Sequence, residues 1–161
     1  MLNLTARVNP FTDITKLIAR LNAATSADTE PVTQAIREGF AENFAGERSG
    51  TGRSWAALRP TTVLDRIRHG YGGSHPILVR TGSLRDSYTA QGSDSVNEFT
   101  PDGSGWVLAV GSRHRVAIFH ERGTSRMAAR PVTELSPQRE NTIADRVQEM
   151  IERIERQIVG S

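Results

Sequence analysis

From Ser136 to Val159 apolar residues recur at a helical period: Ile143, Val147, Met150, Ile151, Ile154 and Ile158 share one stripe. Ser136 can cap the first turn, and Pro137 fits inside it, because the N–H that proline lacks has no intrahelical acceptor there. At about 1.5 Å per residue the helix would be roughly 34 Å long, about the width of a small domain. A stripe of that length must be covered, so the rest of the chain has to fold against it. With 161 residues, 37% of them hydrophobic, the chain can bury one core. A single domain is expected over 1–161: N-terminal helices over 1–45, flexible loops over 46–75, a sheet region over 76–135 and the C-terminal helix over 136–159.

Two more helices are legible upstream. Ile14, Leu17, Ile18 and Leu21 lie on one face of a segment from about Thr12 to Ala23, with Thr12 or Asp13 able to cap it. Val32, Ile36, Phe40 and Phe44 do the same from Thr29 to about Ala45, with Pro31 in the first turn and Gly46 as a left-handed stop. The run from Gly46 to Ser54 is rich in glycine and hydroxyl residues, has no apolar period and reads as a mobile loop. Trp55, Leu58 and Pro60 re-anchor the chain. Thr61 or Thr62 starts a short helix through Arg68 that stops at Gly70, and a second glycine stretch follows to Ser74.

Between Asp86 and Ser112 the period changes to two. Ser87–Gln91, Val96–Phe99 and Trp106–Val110 are strand-sized, and Pro101, Asp102, Gly103 and Gly105 supply the chemistry of a hairpin turn. These features predict an antiparallel meander in which Trp106, Leu108 and Val110 share a face. Val116–His120 is short and apolar and fits a helical turn or a strand, with the helical turn preferred. The expected fold class is α+β: a small antiparallel sheet packed with N-terminal helices and a long C-terminal helix, with long flexible loops.

Composition excludes more than it assigns. No cysteine is present, which removes disulfide scaffolds, thiolate metal sites and thiol nucleophiles together and suits a reducing cytoplasm. The start, Met1-Leu2-Asn3-Leu4-Thr5, lacks the order of a signal peptide, and no run approaches the roughly 20 apolar residues that span a bilayer. Net charge is only +2, yet its distribution is uneven. Arg48, Arg53, Arg59, Arg66, Arg68, Arg80 and Arg85 face one acid, Asp65, within residues 48–85; Arg113, Arg115, Arg122, Arg126 and Arg130 face Glu121. The C-terminal segment carries Glu134, Glu140, Asp145, Glu149, Glu152 and Glu155. A basic middle and an acidic helix can pair head to tail between copies of one chain.

Catalytic signals are missing. His69, His75, His114 and His120 are the full set of histidines, and His120-Glu121 opens like a zinc-protease helix but finds Thr124 where the second histidine would stand. There is no nucleophile elbow, no phosphate loop with its lysine, and no carboxylate pair in an apolar context. No enzyme activity, metal or cofactor is expected. Arginine-rich loops beside Trp55 and Tyr71 can stack on single-stranded bases, which keeps a monomeric basic nucleic-acid-binding protein as the alternative class.

The order of short motifs carries a resemblance. Trp55-Ala56-Ala57-Leu58-Arg59-Pro60-Thr61-Thr62 precedes Ile77-Leu78-Val79-Arg80-Thr81-Gly82-Ser83-Leu84-Arg85-Asp86-Ser87. Then come Val110-Gly111-Ser112, Ala117 to His120 with Gly123 close behind, and Ala129-Arg130-Pro131 before the long terminal helix. Over about residues 40–158 this resembles the virion morphogenesis, or tail completion, family of tailed bacteriophages, which includes Mu-like head–tail joining proteins. Val116, Glu121 and Val132 depart from it, standing where the family tends to have an aromatic, a glutamine and an aromatic.

The resemblance implies a non-enzymatic virion protein, a tail completion or terminator protein. It would form a ring of six copies at the head-proximal end of the tail and join tail tube to neck connector, with DNA passing through the lumen. It implies assembly in the bacterial host cytoplasm and no membrane or small-molecule partner. On that basis the protein-interface candidates are Arg53, Trp55, Arg59, Arg113, Arg115, Arg122, Arg126, Arg130, Glu149, Glu152 and Glu155.

Overall fold

A computed structural model describes residues 14–24, 26–90, 92–101 and 106–159. Among these the elements run α1 (Ile14–Asn22), α2 (Ser26–Gly46), α3 (Pro60–Arg68), α4 (Ser83–Thr89), β1 (Ser95–Pro101), β2 (Trp106–Ser112), α5 (Ala117–Arg122) and α6 (Pro137–Val159). The fold is α+β, with one two-stranded antiparallel sheet of β1 and β2. The capping residues expected before α1, Thr12 and Asp13, and the turn residues Asp102, Gly103 and Gly105 lie outside the described residues.

The chain divides into two compact units. The first draws on residues 14–36, 97–101, 106–109 and 138–159, and the second on 37–96 and 110–137. In the first unit the periodic helices bury what their spacing requires. Leu17 and Leu21 of α1, Val32 and Ala35 of α2, and Ile143, Met150, Ile151 and Ile154 of α6 are all buried. Each full burial of an aliphatic chain stabilises by about 1.5–3 kcal/mol. Polar ties join the elements of this unit as well: Arg20 reaches Asp28 at 3.2 Å and Gln157 at 3.3 Å, and Thr33 donates to Asn97 at 3.1 Å.

The second unit is built around aromatic rings. Phe40 and Phe44, one helical turn apart on α2, meet Tyr88 at 5.5 and 6.1 Å, and Phe44 meets Trp55 edge-on at 5.6 Å. Ile77, Leu84, Ala117 and Val132 complete the buried apolar set. Its connections are held by side chains bonding to backbone. Asn43, on α2, donates to the carbonyls of Val132 and Glu134, each at 2.7 Å.

Several sequence expectations are corrected. α2 begins at Ser26, so Pro31 sits inside the helix and not in its first turn. The lost N–H leaves Ala27's carbonyl without its usual helical donor. Gly46 is the last helical residue, and the left-handed stop falls on Glu47 at φ 48°. That conformation costs about 1–2 kcal/mol for an L-residue. The Glu47 carboxylate offsets it by accepting from the Ile77 amide at 2.7 Å and meeting His75 Nδ1 at 2.5 Å.

Residues 87–89, expected in a strand, belong to α4; Gln91 lies outside the described residues. Alternation over so few positions misleads, because Leu84, Ser87 and Tyr88 are all buried at helical spacing. The meander therefore reduces to one hairpin.

The glycine-rich run after α2 is also more ordered than its composition implied. Ser49 donates to Arg53's carbonyl, Arg48 bridges Ser54, and Gly50 donates to Glu134's carbonyl at 2.9 Å. A Cβ on Gly50 would sit 2.2 Å from Leu135's carbonyl carbon, so this crossing needs glycine. The short helix in 46–75 forms through Arg68 as expected but starts at Pro60, ahead of Thr61 and Thr62, and is followed by Gly70 at φ 73°. Val116–His120 lies at and within α5, the helical alternative of the two the sequence allowed, and α6 starts at Pro137, where the sequence placed proline in the first turn.

Candidate functional site

Trp55 fixes the geometry of the basic region. Its ring is buried against Phe44, its indole N–H donates to Pro131's carbonyl at 3.1 Å, and its amide donates to Glu47's carbonyl at 2.8 Å. The chain leaving Trp55 is consequently delivered as an extended segment that ends at Arg59, with ψ 147° before α3 begins. Arg130 clamps that segment from the other side. Its Nε donates to Ala56's carbonyl at 2.8 Å and its Nη2 to Ala57's at 3.0 Å. The Arg130 amide in turn donates to His120's carbonyl at 2.7 Å, which ties the segment to α5.

Gly123, at φ 70°, ends α5. A Cβ there would lie 2.8 Å from the Ala129 amide nitrogen, so no other residue fits without displacing backbone. The tight loop that follows is closed by paired bonds between Thr124 and Met127, and Arg126's amide donates to Thr124 Oγ1 at 3.2 Å. Ser125 and Arg126 are thereby placed at an exposed tip. Between this tip and the Ala56–Arg59 segment lies an open groove of about 530 Å³. Leu58, Met127 and Ala128 line it together with Arg59, Arg126 and Arg130, and no acid does.

His120 lines the same groove, with its Nδ1 buried and unpartnered among the described residues. Burial first, then the charge of Arg130 and then His114, pull its pKa down to about 4. The ring is neutral near pH 7, so it adds no charge to the arginines. Glu121 points elsewhere. It accepts from Tyr88's hydroxyl at 3.1 Å, from the amides of Val132 and Thr133 at 3.0 and 3.2 Å, and from Thr133's hydroxyl at 3.0 Å. Burial, reinforced by that carboxylate, raises the Tyr88 hydroxyl above its ordinary value. The carboxylate takes four donors, which suits an acceptor-only group.

The sequence-derived interface residues divide cleanly. Arg53, Arg59, Arg113, Arg115, Arg122 and Arg126 are exposed. Trp55 and Arg130 are buried within this chain, the first as a core anchor and the second as a backbone clamp, so neither presents much surface to a partner. Glu155 is buried as well, at 8% exposure. Glu149 and Glu152 are exposed but engaged along their own helix, Glu149 with Arg146 at 2.7 Å and Glu152 with Gln148 at 3.1 Å and Arg156 at 4.0 Å. Reading only the acids of α6 overlooked the arginines spaced three and four residues from them.

Other exposed groups had no signal in the sequence. Leu64 and Ile67 on α3 are 55% and 56% exposed, and Ile118 and Phe119 on α5 are 46% and 50% exposed. Helical spacing cannot say which face of a short amphipathic helix is left uncovered. The proposed base-stacking platforms fare differently. Trp55 is internal, and Arg80's guanidinium covers one face of Tyr71 at 4.9 Å.

Among the described residues no group of three His, Asp or Glu side chains gathers to hold a metal, and no helix is long and apolar enough to cross a membrane. His69 pairs with Asp65, His75 with Glu47, and His114 Nε2 lies 3.3 Å from Ser83 Oγ.

No curated protein and no solved structure matches the chain. The sequence model of the phage virion morphogenesis family matches residues 8–152, nearly the whole length over which the helices, the hairpin and the arginine clamp are laid out, and the chain belongs to that family.

Proposed function

We propose that the protein is a structural component of a tailed phage virion that completes the tail. It forms a ring of copies at the head-proximal end and joins the tail tube to the neck connector. It acts by fit and not by turnover, and DNA passes through the lumen without specific binding. Assembly takes place in the host cytoplasm and the product stays in the tail or neck of the particle.

One observation supports this reading beyond family membership: charge is unevenly distributed along the chain. By sequence, residues 37–96 and 110–137 hold thirteen arginines and eight acids, while the remainder holds seven basic residues and ten acids. The basic unit also exposes Leu64, Ile67, Ile118 and Phe119. A surface that joins exposed apolar residues with exposed arginines suits a protein interface, where a passage that must release DNA gains nothing from tight phosphate contacts. Unlike charges on different parts of one chain favour heterologous contacts, which close into rings.

A phage in which the gene is disrupted provides the test. Its lysate is expected to accumulate filled heads and unjoined tails, and complementation with the wild-type chain restores infectious particles. Normal particles from the disrupted phage would overturn the proposal, as would absence of the protein from purified virions. Tight, salt-sensitive retention of DNA by a solitary chain would instead favour the nucleic-acid-binding alternative.

A further inference from the structure

Glu149 and Glu152 are engaged on α6 and Glu155 is buried, and a second acidic surface for the basic unit to meet lies in the stretch around the hairpin. Between Arg85 and Arg113 there is no lysine, arginine or histidine, whereas Asp86, Asp94, Glu98 and Asp102 are all acidic. Strands β1 and β2 occupy the C-terminal part of this stretch, up to Ser112. Glu98 is exposed, and Trp106 and Val107 are 36% and 37% exposed. Neighbouring residues on a strand point to opposite faces, so both faces of β2 carry apolar surface at its start. A partly exposed tryptophan on a base-free hairpin has the chemistry of an interface anchor.

The groove beside Arg130 has the complementary chemistry. Ala56, Leu58 and Met127 give it apolar lining, Arg59 and Arg126 are its exposed cations, and no acid lines it. We propose that the β1–β2 hairpin of one copy docks in this groove of the next, with Trp106 against the apolar lining and Glu98 facing Arg126. The contact joins two different surfaces and is therefore head to tail. It rests on the reading of the protein as a self-assembling component and names the surfaces that would meet.

Charge exchange tests it. The variants Arg126→Glu and Glu98→Arg, each with an unchanged circular dichroism spectrum, are expected to self-associate at least about tenfold more weakly than wild type in sedimentation velocity. An equimolar mixture of the two restores assembly, because each variant then meets an opposite charge at both of its surfaces. Because the chain has no cysteine, a second measurement is free of background. Val107→Cys and Ser125→Cys chains, mixed with oxidised glutathione as the oxidant, form disulfide-linked heterodimers if the hairpin sits in the groove.

Wild-type self-association that neither charge variant weakens, together with no cross-link, would overturn the docking while leaving the assembly role intact. A mixture of folded variants that stays monomeric would also overturn it. Wild type that is solitary at high concentration and absent from particles removes the assembly role itself. If Arg126→Glu abolishes retention of duplex DNA on a filter but leaves self-association unchanged, the groove is a nucleic-acid site and the hairpin does not occupy it.

Discussion

The two units of this chain hold themselves together by different means. The first is aliphatic and regular: Leu17, Leu21, Ile143, Ile151 and Ile154 are buried from long helices whose backbones satisfy their own hydrogen bonds. The second is aromatic and irregular. Its loops have few internal partners, so buried or half-buried polar side chains supply them: Asn43 for 132–134, Arg130 for 56–57, Glu121 for 132–133 and Arg66 for Pro76 and Val79 at 3.0 and 2.6 Å. Short helices and loops leave cations and apolar side chains at the surface. On α6 the apolar stripe is covered instead: Ile143, Met150, Ile151 and Ile154 are buried.

The contrast breaks most clearly at the core anchors. Trp55→Ala removes the ring that meets Phe44 and the donor to Pro131, and is expected to cost about 3–5 kcal/mol in denaturant unfolding. Ile154→Ala in the first unit should cost about 2–5 kcal/mol. If the units differ as described, hydrogen exchange will separate the two variants: Trp55→Ala speeds exchange first in 43–60 and 130–134, and Ile154→Ala first in α6.

Arg130→Met keeps the stem of the side chain but removes both backbone bonds. A loss of about 1–3 kcal/mol is expected, with faster exchange at 124–133 and little change in α6. An unaltered exchange pattern there would mean that the clamp is redundant with the packing of Trp55.

A smaller effect distinguishes the units by pH. The folded state holds His120 at about 4, below the ordinary 6.5. Between those values the unfolded chain binds a proton that the folded one does not, so stability is complete above about pH 6.5 and falls as the pH is lowered toward 4. After allowance for the partial exposure of the ring, the loss is on the order of 1–2 kcal/mol. His120→Gln should flatten that limb in urea melts taken across the range. If it persists unchanged, another group in the fold is responsible.

The smallest effect is expected on α6. Glu149→Lys replaces an exposed pair with Arg146 and should change stability by no more than about 0.5 kcal/mol. It should also leave self-association as it is in wild type, in contrast to Glu98→Arg.

Much of the helical framework was legible beforehand, because a 3.6-residue period sustained over several turns has few other solutions. α6 and the two strands of the hairpin follow their patterns closely. Ser87–Thr89 did not, because a few alternating positions fit a strand and a helix equally well until tertiary burial of Leu84, Ser87 and Tyr88 decides. The interface candidates fared unevenly for a related reason. Arginine at Arg126 and arginine at Arg130 look alike in sequence, but one tips an exposed loop and the other is buried reaching back 74 residues to a carbonyl.

What the sequence determined by itself is local: the periods that make α2 and α6, and the family to which the order of its motifs belongs. What only the tertiary structure decided is which polar groups are spent inside. Bonds such as those from Asn43 to Val132 and from Trp55 to Pro131 span 89 and 76 residues. Nothing near a residue in the chain reports a partner that distant; the folded backbone alone brings an unsatisfied carbonyl within reach of a particular donor.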